Sequence, residues 1–309
     1  MTIRVRDFHW YDDLGSVMDF LTEVWTMTQS LRNWIPQRFE NRRFGPCGPE
    51  YNDEDDSFVK IWEDVDATGD SKIVAVGILS DSPDSFLNLH PEYKHLEREI
   101  VLDMERMRSA KPLNDDRGSR IAFFIEATDT ERIELYKEMG YNDLGVCEHN
   151  RTRPLDLPIP DYELPDGYSI RHVTLPEDYE NYHEVVGSVF SHCGKYMTER
   201  MAIKYSQASF WHEGLDLVAV APDGKFAAFT TVRLDTASGI TEFEPVGTHP
   251  NHRKMGLARS VILEGLKRVK DYNPTMICIL GAAATEGATR LYDSLGFSRI
   301  DVHAWRKYL

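Results

Sequence analysis

A chain of 309 residues is long enough for two ordinary domains. At 41% hydrophobic and 28% charged residues it has a soluble globular balance, and no apolar run approaches the roughly 20 residues of a membrane span. The net charge of −16 argues against nucleic-acid or phospholipid surfaces, which call for basic patches; the acidity either favours a cationic substrate such as an amine or simply keeps the chain soluble.

Met1-Thr2-Ile3-Arg4 leads straight into a strand pattern without a signal-peptide core. In chain order, the first half predicts strands near Ile3–Asp7, Phe58–Glu63, Ile73–Ser80, Phe86–Leu89 and Ile121–Ala127, with a helix from about Asp12 to Ser30. Phe39 to Pro46 reads as a surface loop. The proline-dense stretch Arg153-Pro154-Leu155-Asp156-Leu157-Pro158-Ile159-Pro160, continuing to Gly167, excludes helix and suits an extended linker. The second half predicts strands near Ser169–Val173, Leu217–Ala221, Lys225–Leu234, Ile240–Thr248, Thr275–Leu280 and from Phe297 onward. Helices are expected near Glu177–Ser191, Thr198–Ser209, Gly256–Asp271 and Thr285–Leu295, and Ala221-Pro222-Asp223-Gly224-Lys225 marks a hairpin turn.

The two halves repeat one unit. Ile3-Arg4-Val5 answers Ile170-Arg171-His172-Val173, and His90-Pro91 answers His249-Pro250. Leu135-Tyr136-Lys137-Glu138-Met139-Gly140-Tyr141 answers Leu291-Tyr292-Asp293-Ser294-Leu295-Gly296-Phe297. The proline-to-tyrosine intervals are 45 (91 to 136) and 42 (250 to 292) positions. Matched landmarks in one order indicate duplication. The predicted organisation is therefore a domain over 1–152, a linker over 153–167 and a domain over 168–309. Each is α+β, a mixed, mostly antiparallel sheet flanked by helices.

The four cysteines, Cys47, Cys147, Cys193 and Cys278, are far apart and show no metal-ligand spacing. They are expected to be free thiols in a reducing cytoplasm, with no metal. The most informative segment is Arg253-Lys254-Met255-Gly256-Leu257-Ala258, which follows a strand and opens a helix. A small-residue turn entering a helix presents unpaired N–H groups at the positive end of the macrodipole and holds a phosphate or pyrophosphate. Gly-x-Gly-x-x-Gly and Walker A patterns are absent.

With Arg253-x-x-Gly256-x-Ala258 after a strand, and Leu291-Tyr292-x-x-x-Gly296-Phe297 closing the next helix, the chain resembles the GNAT superfamily of acyl-CoA-dependent N-acyltransferases in tandem form. The resemblance covers the second half well and the first in outline. It implies acetyl-CoA or a related acyl-CoA as co-substrate, a small-molecule amine as acceptor, and direct attack in a ternary complex. No nucleic acid or membrane partner is expected, and the chain should be a monomer or homodimer. An acyl-CoA-binding sensor without turnover and a protein-modifying acetyltransferase stay open as alternatives. Arg253, Lys254, Met255, Gly256, Leu257, Ala258 and Arg259 would cradle the pyrophosphate, and Val246 and Thr248 would offer backbone groups to the pantetheine chain. Where the family often has Asn, Thr285 stands. Phe190, His192 and Tyr196 would wall the acceptor pocket, His192 being an alternative base. In the first half, Glu97 and Glu99 stand where the small residues belong; two carboxylates there would repel a pyrophosphate, so that domain is expected not to bind CoA and to complete or cover the active cleft.

An alkylamine is almost wholly protonated at neutral pH, so the reaction needs a base. Glu242, at an offset where some family members carry a catalytic Glu, is the first expectation; Glu244, two residues on and on the same strand face, is the second. Tyr292 is the expected acid for the departing sulfur.

Overall fold

A computed structural model describes residues 2–113 and 117–309. Along the chain run β1 (Thr2–Asp7), α1 (Trp10–Thr28), α2 (Pro36–Phe44), β2 (Val59–Val65), β3 (Ser71–Leu79) and β4 (Ser85–Leu89). There follow α3 (Glu97–Ala110), β5 (Arg120–Glu126), α4 (Thr130–Glu138) and β6 (Asn142–Arg153). The second half contains β7 (Ser169–His172), α5 (Tyr179–Val189), α6 (Ser191–Tyr196), α7 (Glu199–Tyr205), β8 (Asp216–Val220) and β9 (Phe226–Leu234). It closes with β10 (Ile240–Thr248), α8 (Leu257–Val269), β11 (Met276–Ala283), α9 (Glu286–Ser294) and β12 (Ile300–Tyr308). Among the described residues no helix is long and apolar enough to cross a membrane.

Two compact units form, and neither follows the chain order. One comprises Met1–Pro36, Asn52–Asn150 and Ile300–Leu309; the other comprises Gln37–Tyr51 and Arg151–Arg299. The division expected at residues 152–168 is thus crossed twice, and each crossing has a physical cause. The closing strand β12 pairs antiparallel with both β5 and β6, from Tyr308 opposite Arg120 to Ile300 opposite Asn150, and buries Trp305 in the core of the first unit. The α2 segment is drawn into the second unit by polar and apolar bonds together. Phe39 is wholly buried, the Gln37 amide donates to the Ile240 carbonyl at 2.7 Å, and Glu40 accepts from the Ser209 N–H and hydroxyl at 2.8 and 2.6 Å. The segment read as a surface loop is therefore a packed helix. Pro36 at its first position needs no hydrogen-bond partner for a missing N–H.

In the first unit β1 to β4 form an antiparallel meander. Helix α1 buries Val17, Phe20, Leu21, Val24 and Trp25, one stripe at helical spacing. In the second unit β7, β8, β9 and β10 are antiparallel neighbours in that order. Strand β9 lies between two partners and is buried along its whole length. After β10 the chain crosses through α8 to β11, which lies parallel to β10, so the sheet is mixed. Helix α8 buries Leu257, Val261, Ile262, Leu266 and Val269. It sits so close to the sheet that a Cβ at Gly265 would lie 2.8 Å from both Phe243 and Val232. The proline-rich stretch holds no helix or strand between β6 and β7, and it is packed: Ile159 and Tyr162 lie on the core of the second unit, and the Tyr162 hydroxyl donates to Glu264 at 2.8 Å.

Candidate active site

Strands β10 and β11 pair only where Ile240, Thr241 and Glu242 face Met276, Ile277 and Cys278. Against β9 the register shifts between Phe243 and Val246. Past Glu242, therefore, β10 leaves its parallel neighbour, and its residues line two cavities of the second unit. Val246, Gly247 and Thr248 line one; Glu244 and Pro245 line the other.

The first cavity, about 650 Å³, is built on the turn before α8. Lys254 and Gly256 there take left-handed backbone, φ 64° and 80°, a conformation that costs glycine nothing and strains other residues. Gly256 is the N-cap of α8, so the first amides of that helix point out of its end without intrahelical partners. Arg253, Lys254, Gly256, Leu257, Ala258 and Arg259 line the cavity together with Val246, Thr248 and Tyr292. Small residues, oriented amides and three cations in one place fit a pyrophosphate, so the residues present suit the CoA that the sequence implies. Two expectations differ here. Met255 is 39% exposed and does not line the cavity. Thr285 is the N-cap of α9, its hydroxyl accepting from the Ala288 N–H at 3.3 Å, and it too stands outside the lining. Val189, His252, Gly287, Ala288, Arg290 and Leu291, not anticipated, complete the walls; Gly287 and Ala288 share one face of α9 with Leu291, at four and three positions' spacing.

The corresponding turn of the first unit is filled by the chain's own charge. Glu97 is not a surface residue but buried, ion-paired with Arg132 at 2.6 Å and with Arg32. Glu99 is exposed. Asp129 lies 3.4 Å from Arg32, so two carboxylates balance the two guanidiniums and no net positive charge is left for a phosphate.

The second cavity, about 390 Å³, is lined by α5 and α6 on one side and by the α2 segment on the other. Phe190 and His192 are in its wall. Tyr196 is not; its ring carries the Lys195 ammonium at 4.8 Å instead. Asn41, Arg42, Gly45 and Pro46 supply the opposite wall, a contribution invisible in sequence because they lie more than a hundred residues from the other lining groups. Cys47 and Cys193 are joined by a disulfide across a sequence separation of 146, and both line the cavity. The expectation of four free thiols fails at these two, and the compartment argument built on it falls with it; Cys147 and Cys278 are free. His192 Nε2 lies 3.6 Å from Cys193 Sγ. Folding thus groups two sulfurs and an imidazole whose ligand atoms lie within 4.8 Å of one another, although no linear metal spacing exists. With the sulfurs bonded to each other, neither offers the thiolate a metal requires.

The two glutamates part company. Glu242 is fully buried. Its Oε1 accepts from Arg38 Nε at 2.7 Å and its Oε2 faces Arg233 Nη1 at 3.5 Å. Both oxygens are engaged and the residue lines neither cavity, so the carboxylate expected to be the base is an internal ion-pair partner. Glu244 is half-buried, lines the second cavity, and acts electrostatically on both Arg233 and Tyr292. Tyr292 lies in the wall of the first cavity. Burial first, and the Glu244 charge second, push its hydroxyl pKa well above the ordinary tyrosine range, against the pull of Arg151, whose guanidinium lies 5.4 Å from the Tyr292 ring centroid. A hydroxyl so held keeps its proton at neutral pH and can serve as a hydrogen-bond donor.

The architecture is that of tandem GNAT proteins. A GCN5-related N-acetyltransferase from Sphaerobacter thermophilus superimposes with a TM-score of 0.68 over 99% of this chain and 95% of its own, at 18% identity. A tandem GNAT protein from the clavulanic acid biosynthesis pathway does so with a TM-score of 0.65 over 99% and 98%, at 16% identity. Residues 177–297 match the acetyltransferase (GNAT) family. Similar proteins include the mycothiol acetyltransferase of Arthrobacter sp. (strain FB24), 27% identical over 70% of this chain and 67% of that enzyme. That of Thermomonospora curvata is 31% identical over 48% of this chain and 51% of that enzyme. The chain matches between about half and two thirds of the length of these relatives.

Proposed function

We propose that the second unit transfers an acetyl group from acetyl-CoA to a primary amine of a small molecule, by direct attack within a ternary complex. The observation that carries this reading is the parting of β10 from β11: one stretch of strand, Glu244 to Thr248, contributes to a cavity suited to a pyrophosphate and to a second, separate cavity suited to a small acceptor. Acetyl-CoA supplies the acyl group as a thioester. The α8 turn and Arg253, Lys254 and Arg259 hold its diphosphate. Glu244, in the lining of the acceptor cavity, removes the amine proton directly or through a water. As the new N–C bond forms and the C–S bond breaks, Tyr292 donates its proton to the departing sulfur. The relatives' name puts a mycothiol-related amine among the acceptors to test.

A thiol-release assay with acetyl-CoA over an amine panel tests the reading. Glu244→Gln is expected to lower kcat by about 10²-fold with CoA affinity unchanged, and Gly256→Glu to abolish CoA binding measured by calorimetry. Unaltered turnover in Glu244→Gln would remove it as the base; no heat with CoA in the unaltered protein would remove the proposal.

A further inference from the structure

A disulfide that only braces a fold has no reason to face a cavity large enough for a metabolite. The Cys47–Cys193 bond faces one, with an imidazole against it. We propose that this bond, with His192, is a thiol-exchange site at which a low-molecular-weight thiol entering the cavity becomes attached to Cys47.

The two sulfurs are unequal. Cys47 is half-buried in the turn Gly45-Pro46-Cys47-Gly48-Pro49, all five of whose residues line the cavity. Cys193 is only 2% exposed, inside α6. An incoming thiolate therefore meets Cys47 Sγ. Its sulfur forms a bond to Cys47, the Cys47–Cys193 bond breaks, and the electron pair departs on Cys193 Sγ. The exchange conserves oxidation level: the incoming thiol is oxidised to a mixed disulfide as Cys193 is reduced to thiolate, and the thiol's proton goes to solvent. His192, whose Nε2 is 3.6 Å from Cys193 Sγ, donates its ring N–H to the sulfur that takes up the charge, which makes Cys193 the better leaving group. A second thiol of a dithiol reagent can then displace Cys47 and leave both cysteines reduced. The adduct occupies the cavity that Phe190 and Glu244 also line, so thiols of the right size compete there with any other occupant. This inference needs only the cavity and the bond, not the transferase reading, and its readout is mass, not turnover.

The test uses the oxidised full chain with excess free cysteine under argon, an acid quench, and then alkylation and peptide mass mapping. The expected result is one cysteine per chain on Cys47 and alkylation newly appearing on Cys193. Cys193→Ser, which has a thiol but no disulfide at Cys47, takes up no cysteine from the reduced reagent. His192→Ala, whose cysteines remain, reacts about tenfold more slowly. The proposal is overturned if the folded protein takes up nothing while the urea-unfolded protein is fully modified, or if the adduct maps to Cys193. Equal rates for His192→Ala and the parent would overturn the role given to the histidine.

Discussion

Glu242 and Glu244 show how two identical side chains, two positions apart, acquire different chemistry. Between two guanidiniums in a closed interior, Glu242 balances charge; Glu244, half-buried, lines a cavity wall. Glu242→Gln is therefore expected to act on stability. Removing one member of a buried ion pair strands its partners and costs about 3–5 kcal/mol, to be read from denaturant midpoints of folded protein. A variant as stable as the parent, but inactive, would restore Glu242 to the catalytic role. Asp216, at the start of β8, gives a second residue-scale prediction. Burial raises its carboxyl from 3.8 to about 6, despite hydrogen bonds from Thr231 and Trp211. The folded state thus binds this proton more tightly than the unfolded chain. The stability it contributes is complete below pH 3.8 and is lost as pH rises through 6, a loss of roughly 3 kcal/mol. Asp216→Asn should melt higher than the parent at pH 7, with the gain shrinking toward pH 4; a gain independent of pH would contradict the assignment.

At the scale of elements, what could be read beforehand was what local rules determine. Strand β10 has the expected bounds, Ile240–Thr248, and the turn at Gly256 was legible because a glycine between a strand and a helical pattern marks left-handed backbone. Helix α2 was missed for an identifiable reason. Pro-Gln-Arg-Phe-Glu-Asn-Arg-Arg-Phe has two phenylalanines against a proline and six polar or charged side chains, too weak a stripe to read as amphipathic. Its burial is achieved through Gln37, Arg38 and Glu40, each bonded to a group far away in the chain. The disulfide was missed for the same reason, since two cysteines 146 residues apart carry no sign of proximity. The demotion of Glu242 had no local signal either: its partner Arg38 lies 204 positions earlier. Periodicity reports on neighbours in sequence, and the acceptor cavity is assembled from distant ones.

For the whole molecule, duplication made the architecture legible, while the exchange of segments left no trace in composition or pattern. A repeat is expected to divide at its linker, yet the ladder of β12 with β5 and β6 and the seating of α2 follow hydrogen bonds, not chain order. Cutting at the linker should then yield no folded halves. Residues 1–152 alone would expose the edges of β5 and β6 and the pocket left by Trp305, and residues 153–309 alone would lack Phe39 and one wall of the acceptor cavity. Expressed separately they are expected to aggregate or to show poorly dispersed NMR spectra; two well-dispersed, cooperatively melting fragments would refute this.

The placement of β12 also bears on how the protein is born. Translation delivers Ile300–Tyr308 long after β5 and β6, so the ladder begun by β5 stays incomplete while Arg151–Arg299 is made. Until those nine residues arrive, β5 and β6 carry raw sheet edges, the kind of surface that nascent-chain chaperones shield.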